Sequence, residues 1–293
     1  MTGITDIDGG RDGDEPEPSA TPPSPSVEAG AVVVTRGGAV EPASRVLAAE
    51  TPVSVTYNGI AYAVMMASPC DIEDFVTGFS LTEQVVAEAA EIESIDVRAL
   101  ERGLLAQARI PAARGRGLVE NRRNLVGQTG CGICGIVELD QAVRSYGVNA
   151  TRPAMDADAV FAALRALAPR QALNAETGAT HAAAFADAEG RLLAVREDVG
   201  RHNALDKLIG HLARTGISPA GGFVVMTSRL SFELVQKCLA TGVTALVGIS
   251  APTELAVRLA REHGLTLVGL AREDSFQVLS DPFDLWRASA GGG

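Results

Sequence analysis

Aromatic residues are scarce in this 293-residue chain: one Trp, three Tyr and eight Phe amount to 4%. A core must therefore be built from Ala, Val, Leu and Ile, and a hydrophobic content of 46% suffices for one large domain or two ordinary ones. Cysteine is scarce as well. Four in a chain of this length do not make a disulfide scaffold; such cysteines are metal-binding, catalytic or simply buried. No apolar run reaches the roughly 18–20 residues of a membrane span. No basic stretch followed by an apolar one opens the chain, so no secretory signal is expected. The expectation is a cytoplasmic protein with no membrane partner. Basic clusters are missing too: 25 Lys and Arg stand against 36 Asp and Glu, for a net charge of -11, and no nucleic-acid partner is expected. Seven of the acidic residues and one Arg fall in residues 1–30, which leaves 24 basic against 29 acidic residues, about -5, for the remainder. A few arginines at one place could still hold an anion.

What is present divides the chain. Residues 1–30 are rich in Pro, Asp, Glu, Gly and Ser. Such a segment buries too little apolar surface to offset its ordering entropy, so it reads as a disordered acidic tail. Residues 31–113 read as a small α+β domain. Within it, β-rich segments 52–57 and 60–67 flank Asn58-Gly59, a dipeptide suited to a type I′ hairpin turn because both positions take positive φ. A helix is expected over 71–86, with Asp71 as its cap, and a strand pair over 92–100 and 104–110. Residues 114–150 hold a Gly- and Arg-rich segment, read as a loop, and the connection that follows it.

From 151 to 285 strand and helix patterns alternate: helix 156–168, strands 179–186 and 191–195, helix 203–213, strand 222–227, helix 231–240, strand 244–249, helix 253–263 and strand 266–271. Gly264 suits a helix C′ position. This order predicts an α/β domain with a parallel or mixed sheet covered by helices.

Chemistry is suggested at two places. The first is Gly130-Cys131-Gly132-Ile133-Cys134-Gly135. A thiolate is a nucleophile, neighbouring cations such as Arg122 and Arg123 favour it, and the glycines let backbone amides approach sulfur. Two other readings stay open. A structural zinc site would need four Cys or His ligands, and no second C-x-x-C exists. A thioredoxin-like redox pair would start a helix after a strand, whereas this pair lies among glycines. Cys70 and Cys238 read as small buried hydrophobes. The second place is a set of three polar segments at the starts of expected helices, around Arg201-His202-Asn203, Thr227-Ser228-Arg229-Leu230-Ser231 and Ser250-Ala251-Pro252-Thr253. Beyond the carboxyl ends of strands, helix N-termini offer N–H groups to phosphate, and Arg201 and Arg229 could add bidentate contacts. Ordinary N-capping explains any one of these segments equally well. His202 is the best functional histidine by its polar context. His181 reads as structural, and His211 and His263 as solvated.

The run from Thr129 to Gly135, the run from Arg196 to Lys207 and the run from Thr227 to Lys237 together resemble the formate dehydrogenase accessory sulfurtransferase family (FdhD). Ser250 to Thr253 and Gly264 to Arg272 fit as well, so the likeness covers roughly residues 40 to 280. The resemblance implies a sulfur carrier that accepts persulfide sulfur from a cysteine desulfurase. It passes that sulfur to the molybdenum bis(molybdopterin guanine dinucleotide) cofactor, which is bound as a substrate and goes on to formate dehydrogenase; no tightly bound metal is implied. Cys131 maps onto the persulfide cysteine and Cys134 onto its companion. Leu270, Ala271, Arg272, Glu273, Asp274 and Ser275 map onto the cofactor-contacting stretch; the polar helix starts, read from the residues themselves, add Arg229 and His202 as expected contacts. The family often has Gly and a second Arg in that stretch, where this chain has Glu273, Asp274 and Ser275. Two carboxylates beside a phosphate are unfavourable unless they face guanine or solvent. The resemblance also implies a homodimer and a cytidine-deaminase-like larger domain. A zinc deaminase itself would need H-x-E followed by P-C-x-x-C. Here His181-Ala182-Ala183 lacks the Glu, and the cysteine pair comes earlier and lacks the Pro.

Overall fold

The structure, a computed structural model, describes residues 22–121 and 146–286. The cysteine pair Cys131 and Cys134 and most of the acidic tail lie outside the described residues.

The smaller unit is a four-stranded sheet with one helix against it. Strands β3 (Thr51–Tyr57), β4 (Ile60–Ala67), β5 (Ser94–Leu100) and β6 (Gly103–Arg109) are ordered β4-β3-β6-β5. The β3–β4 turn is the expected one: Asn58 and Gly59 have φ of 51° and 80°. Helix α1 (Ile72–Thr82) buries Phe75, Val76 and Phe79 against Val53, Val55, Tyr57 and Ala106 of the sheet. It is shorter than the expected 71–86. Asp71 does not cap it: the residue is left-handed, φ 53°, and its side chain accepts no capping hydrogen bond.

The larger unit is a six-stranded mixed sheet ordered β12-β11-β10-β9-β7-β8. Its strands are β7 (His181–Asp187), β8 (Leu192–Asp198), β9 (Gly222–Met226), β10 (Ala245–Gly248), β11 (Thr266–Gly269) and β12 (Gln277–Ser280). Strands β9, β10 and β11 are parallel and wholly buried, as continuous apolar strands covered on both faces should be. One face carries Leu205, Leu208, Leu234 and Leu259, and the other carries Val160, Leu164 and Leu167. The helices concerned are α3 (Ala157–Leu167), α5 (Arg201–Thr215), α6 (Phe232–Ala240) and α7 (Glu254–His263), with the short α4 (Ala172–Thr177) before β7. Gly264 ends α7 in the left-handed conformation, φ 72°, as its sequence position suggested.

Five elements, two of them the short α4 and β12 described above, lie outside the sequence reading. A separate hairpin, β1 (Ser26–Val34) and β2 (Val40–Ala48), takes in Ser26–Gly30, residues assigned above to the tail. Helix α2 (Ala112–Asn121) occupies the start of the segment read as a loop, and Arg114 in it is paired with Glu91 at 2.6 Å. Strand β12 adds an antiparallel edge beyond the last expected strand.

The two units are joined by the crossing of α1 and α5. A Cβ at Gly78 would lie 1.7 Å from the Asp206 carbonyl oxygen, and one at Gly210 would lie 1.8 Å from that of Asp74. The helix backbones therefore touch where both residues lack a side chain. Leu81 of α1 packs against both cores.

Around the crossing lie three charged networks. Lys207 and Asp198, both fully buried, pair at 2.7 Å. Asp198 also accepts from the Ser68 and Gly200 amides and from Asn203 Nδ2, while Lys207 donates to the Ser68 carbonyl at 2.9 Å. Lys237 pairs with buried Asp206 at 2.9 Å, and Thr82 donates to the same carboxylate. Asp74 accepts from Arg196 and Arg214. Each network joins α1 or the strand end before it to the larger unit.

Overpacking a filled core costs about 1–3 kcal/mol, and here the obstructing atoms are backbone that cannot rotate away. Gly210→Ala should therefore lose about 3 kcal/mol in urea unfolding. A loss under about 1 kcal/mol would show that the helices can separate without consequence.

Candidate functional site

The register of the larger sheet decides which residues meet. In β7–β8 His181 faces Asp198, in β7–β9 Ala183 faces Met226, and in β9–β10 Met226 faces Gly248. The start of β7 and the carboxyl ends of β8, β9, β10 and β11 therefore share one edge. The N-termini of α5, α6 and α7 open there as well. This is the place where open α/β sheets gather ligands, and it is the edge that the three polar segments pointed to.

The loops at this edge are tied to one another. Leu230 and Pro252 form a parallel bridge; Thr253 N donates to the Leu230 carbonyl at 2.9 Å. Leu270 N donates to the Ser250 carbonyl at 3.2 Å and Ala271 N to that of Gly248 at 3.0 Å. A Cβ at Gly248 would lie 2.6 Å from Leu230, so close packing requires glycine there. The result is a fixed floor made of three loops.

Capping explains only one of the three helix starts. Thr253 caps α7 by accepting from Ala256 N. At α5 the cap position is Gly200, and at α6 the Ser231 hydroxyl donates to Glu233 instead, so neither helix has a side-chain cap. Those two ends keep N–H groups and a positive dipole end for an anion.

His202 is not in a loop, as its context suggested, but in the first turn of α5. Its Nε2 lies 2.9 Å from Glu233 Oε2, which also accepts from Ser231 Oγ at 3.1 Å. Two buried atoms beside this dyad have no hydrogen-bond partner among the described residues: Arg201 Nε and Glu233 Oε1. His181 belongs to the same group of side chains. Burial, reinforced by the nearby charges of Arg201 and His202, holds its imidazole below the usual histidine range. Neither His181 nor Glu233 was singled out for function; the signal for Glu233 was its position two residues after Ser231, at the start of a helix.

The stretch 270–275 follows β11 at this edge. Leu270 is a non-glycine residue with φ 51° and is 37% exposed, so strain and exposed apolar surface coincide there. Ala271 is buried. Arg272 is exposed and turns its guanidinium onto the Ile249 and Ala271 carbonyls. Its amide closes a turn with the Ser275 carbonyl at 2.8 Å. Glu273, Asp274 and Ser275 are exposed. Arg229 is exposed, and its side chain makes no hydrogen bond or ion pair among the described residues. The edge thus presents Arg201, Arg229 and Arg272 with two uncapped helix starts, a set suited to an anionic ligand with several phosphate oxygens.

Other residues take structural places. Cys238 is buried, and burial pushes its thiol up. Cys70 is half-buried, 3.7 Å from Lys207 Nζ, and burial raises its pKa despite that ammonium. His211, read as solvated, accepts from Arg196 Nη2 at 2.7 Å inside the Asp74 network. His263 has a buried Nδ1 and an edge-on contact with Tyr146. Among the described residues no group of three or more His, Cys, Asp and Glu could hold a metal, and no helix is long and apolar enough to cross a membrane.

The sequence model of the FdhD/NarQ family matches residues 48–285. A protein named sulfur carrier protein FdhD from Bordetella petrii is 46% identical over 254 residues, covering 86% of this chain and 91% of that one. One of the same name from Xanthomonas euvesicatoria is 47% identical over 266 residues, covering 89% and 95%. The crystal structure of a protein described as a formate dehydrogenase accessory protein from Desulfotalea psychrophila superposes with a TM-score of 0.71 at 23% identity, covering 88% of this chain and 97% of that one. That likeness establishes the mixed α and β fold.

Two outcomes test the edge. Leu270→Gly should fold with stability within about 1 kcal/mol of wild type, whereas β-branched Leu270→Ile should lose at least that much; equal stabilities in urea would mean the backbone there is not strained. His181 has its folded pKa depressed, so its contribution to stability is complete above about pH 6.5 and declines as pH falls towards the folded value. His181→Gln should flatten that part of the stability profile, and an unchanged slope would assign it elsewhere.

Proposed function

The chain belongs to the FdhD/NarQ family, and from that premise we propose that it is a sulfurtransferase serving formate dehydrogenase. In this reading it accepts persulfide sulfur from a cysteine desulfurase and delivers it to the molybdenum bis(molybdopterin guanine dinucleotide) cofactor. Support comes from the names of its relatives, from the C-x-x-C at Cys131 and Cys134, and above all from the anion-suited sheet edge. Arg201, Arg229, Arg272 and two uncapped helix starts gather there.

The chemistry assigned to the pair is a two-step exchange. The Cys131 thiolate attacks the outer sulfur of the donor persulfide. The donor S–S bond breaks, the donor thiolate leaves with the electron pair, and Cys131 carries the persulfide. Cys134 can then attack the Cys131 sulfur. A Cys131–Cys134 disulfide forms, the bond to the outer sulfur breaks, and sulfide is released for the cofactor. A thiol reductant resets the pair. Low thiol pKa values favour both attacks.

The sheet edge has the second role, holding the cofactor as a substrate. Arginines and helix starts bind its phosphates, and the Leu270–Ser275 turn contacts the nucleotide end. Glu273 and Asp274, being exposed, are free to face solvent or the guanine N–H groups. The larger domain is read as cytidine-deaminase-like, the protein as cytoplasmic and the assembly as a homodimer.

Intact-mass measurement after incubation with a cysteine desulfurase and cysteine tests the carrier. The chain should gain one sulfur, and Cys131→Ala should not. No gain in the wild type would leave an escort that only binds the cofactor, and stoichiometric zinc by elemental analysis would indicate a metal module. Calorimetry tests the edge. Wild type should bind GDP, and Arg229→Ala or Arg272→Ala should weaken binding by about tenfold, the 1.4 kcal/mol of one charge-assisted contact. No binding by wild type would overturn this part.

A further inference from the structure

Three polar side chains meet at the sheet edge in an arrangement that neither capping nor phosphate binding requires. Ser231 Oγ donates to Glu233 Oε2 at 3.1 Å, and the same oxygen lies 2.9 Å from His202 Nε2. Ser231 stands at the cap position of α6, where its hydroxyl would ordinarily accept from a helix amide. It serves the carboxylate instead. His202 and Glu233 come from the first turns of α5 and α6, and their side chains are 19% and 15% exposed, so the pair is held largely out of water.

The carboxylate decides which ring nitrogen handles protons. An ionised carboxylate only accepts, so His202 Nε2 is the donor to it, and proton exchange is left to Nδ1. That nitrogen makes no hydrogen bond among the described residues and is not one of their buried unpartnered atoms, so it opens to the edge. An imidazole, a carboxylate that orients it and a hydroxyl that orients the carboxylate make a positioned acid–base group. A pair kept only for packing would have its polar atoms satisfied, whereas Glu233 Oε1 and Arg201 Nε are buried without a partner among the described residues. The two imidazoles of the edge differ in the same sense. Burial, and then the charges of Arg201 and His202, hold His181 below the usual histidine range. Only His202 has a carboxylate beside it to balance a proton.

Sulfur delivery calls for such a group. In the reading above, Cys134 attacks the Cys131 persulfide and the outer sulfur leaves as hydrosulfide. When hydrosulfide replaces an oxide ligand of the substrate's molybdenum, a metal–sulfur bond forms, the metal–oxygen bond breaks and the oxygen departs as water. Hydrosulfide brings one of the two protons of that water, and an acid must bring the other. The metal keeps its oxidation state, so the exchange needs no electron donor. We infer that His202, oriented by Glu233, is this acid: protonated at Nδ1, it gives its proton to the departing oxygen and regains one from solvent. Glu233 and Ser231 are positioning residues. The inference rests on the sulfurtransferase reading and names the class of its acceptor, an oxide-bearing molybdenum cofactor.

Single-turnover delivery from the sulfur-loaded full chain tests it. The acceptor is oxide-bearing bis(molybdopterin guanine dinucleotide) cofactor, and exchange of oxygen for sulfur is read from the cofactor's mass. His202→Ala should slow the exchange about a hundredfold, the low end for loss of a positioned acid. Added imidazole should restore about tenfold or more, and across substituted imidazoles the restored rate should rise with acid strength, which mere filling of a space would not produce. Glu233→Gln should slow the exchange about tenfold without responding to imidazole, because His202 is present but misdirected. The wild-type rate in either variant overturns the inference, as does a loss in His202→Ala that no imidazole restores. A wild type that loads sulfur on Cys131 but exchanges no oxygen overturns it and leaves the carrier reading standing. A wild type that loads no sulfur removes both.

Discussion

The contact of α1 with α5 at Gly78 and Gly210 is the constraint on which the remaining geometry depends. Because the helix backbones touch, neither helix can slide or rotate without a backbone collision. Helix α5 begins at the ligand-suited edge with Arg201 and His202, and it ends in the Asp74 network with Arg214. Its N-terminus is thus held from behind by the smaller unit. The sheet alone would position β9, β10 and β11, but it would leave the start of α5 to be fixed by loop contacts.

The charged networks around that crossing act on register more than on total stability. Removing two charges from water costs several kcal/mol per ion, and a buried pair recovers that only with good geometry and further hydrogen bonds. Asp198 meets the condition, with Lys207, two amides and Asn203 around it. The amide of Ser68 and the carbonyl that Lys207 binds both belong to the strand end before α1. A displaced helix would leave a carboxylate or an ammonium unpaired in a dry interior, an error of several kcal/mol. The networks therefore select one docking of the two units, while the apolar cores on either side of the larger sheet and under α1 supply the driving force.

How much of this could be read from the sequence follows from the range of the interactions. Periodicity and turn chemistry are local, so strands β3 to β11 and the long helices of the larger unit were anticipated within a few residues, as was the turn at Asn58-Gly59. The edge was also legible, since strand ends followed by polar helix starts are a local pattern. The docking was not. Gly78 and Gly210 look like ordinary weak points in helices, and the partners Thr82, Asp206 and Lys237 are scattered along the chain. Asp71 misled because capping was inferred from residue type, while the chain there enters the left-handed region and its side chain accepts no capping hydrogen bond. The hairpin was half hidden, because Ser26 to Gly30 share the composition of the tail that precedes them. His202 was placed in a loop because the strand before it and the helix after it are both longer than their apolar patterns.

The charge balance of the edge raises a physical objection that its own numbers answer. A chain of net charge -11 should repel a polyanionic ligand. At physiological ionic strength, however, the Debye length is about 8 Å, so only charges near the ligand count. Of the seven acidic residues in the first thirty, only Glu28 is among the described residues, and it lies in β1 of the separate hairpin. Exposed Glu273 and Asp274 act through water, where a unit charge at ~8 Å contributes roughly 0.5 kcal/mol before screening. Arg201 differs in kind. Its Nε is buried without a partner among the described residues, so part of its desolvation cost is already incurred in the free protein. A bidentate contact from a partly desolvated guanidinium is stronger than one from a solvated side chain. Local attraction at Arg201, with Arg229 and Arg272 at the rim, therefore outweighs repulsion spread over a screened surface. The acidity of the whole chain is compatible with an anion-holding edge because the two act over different distances.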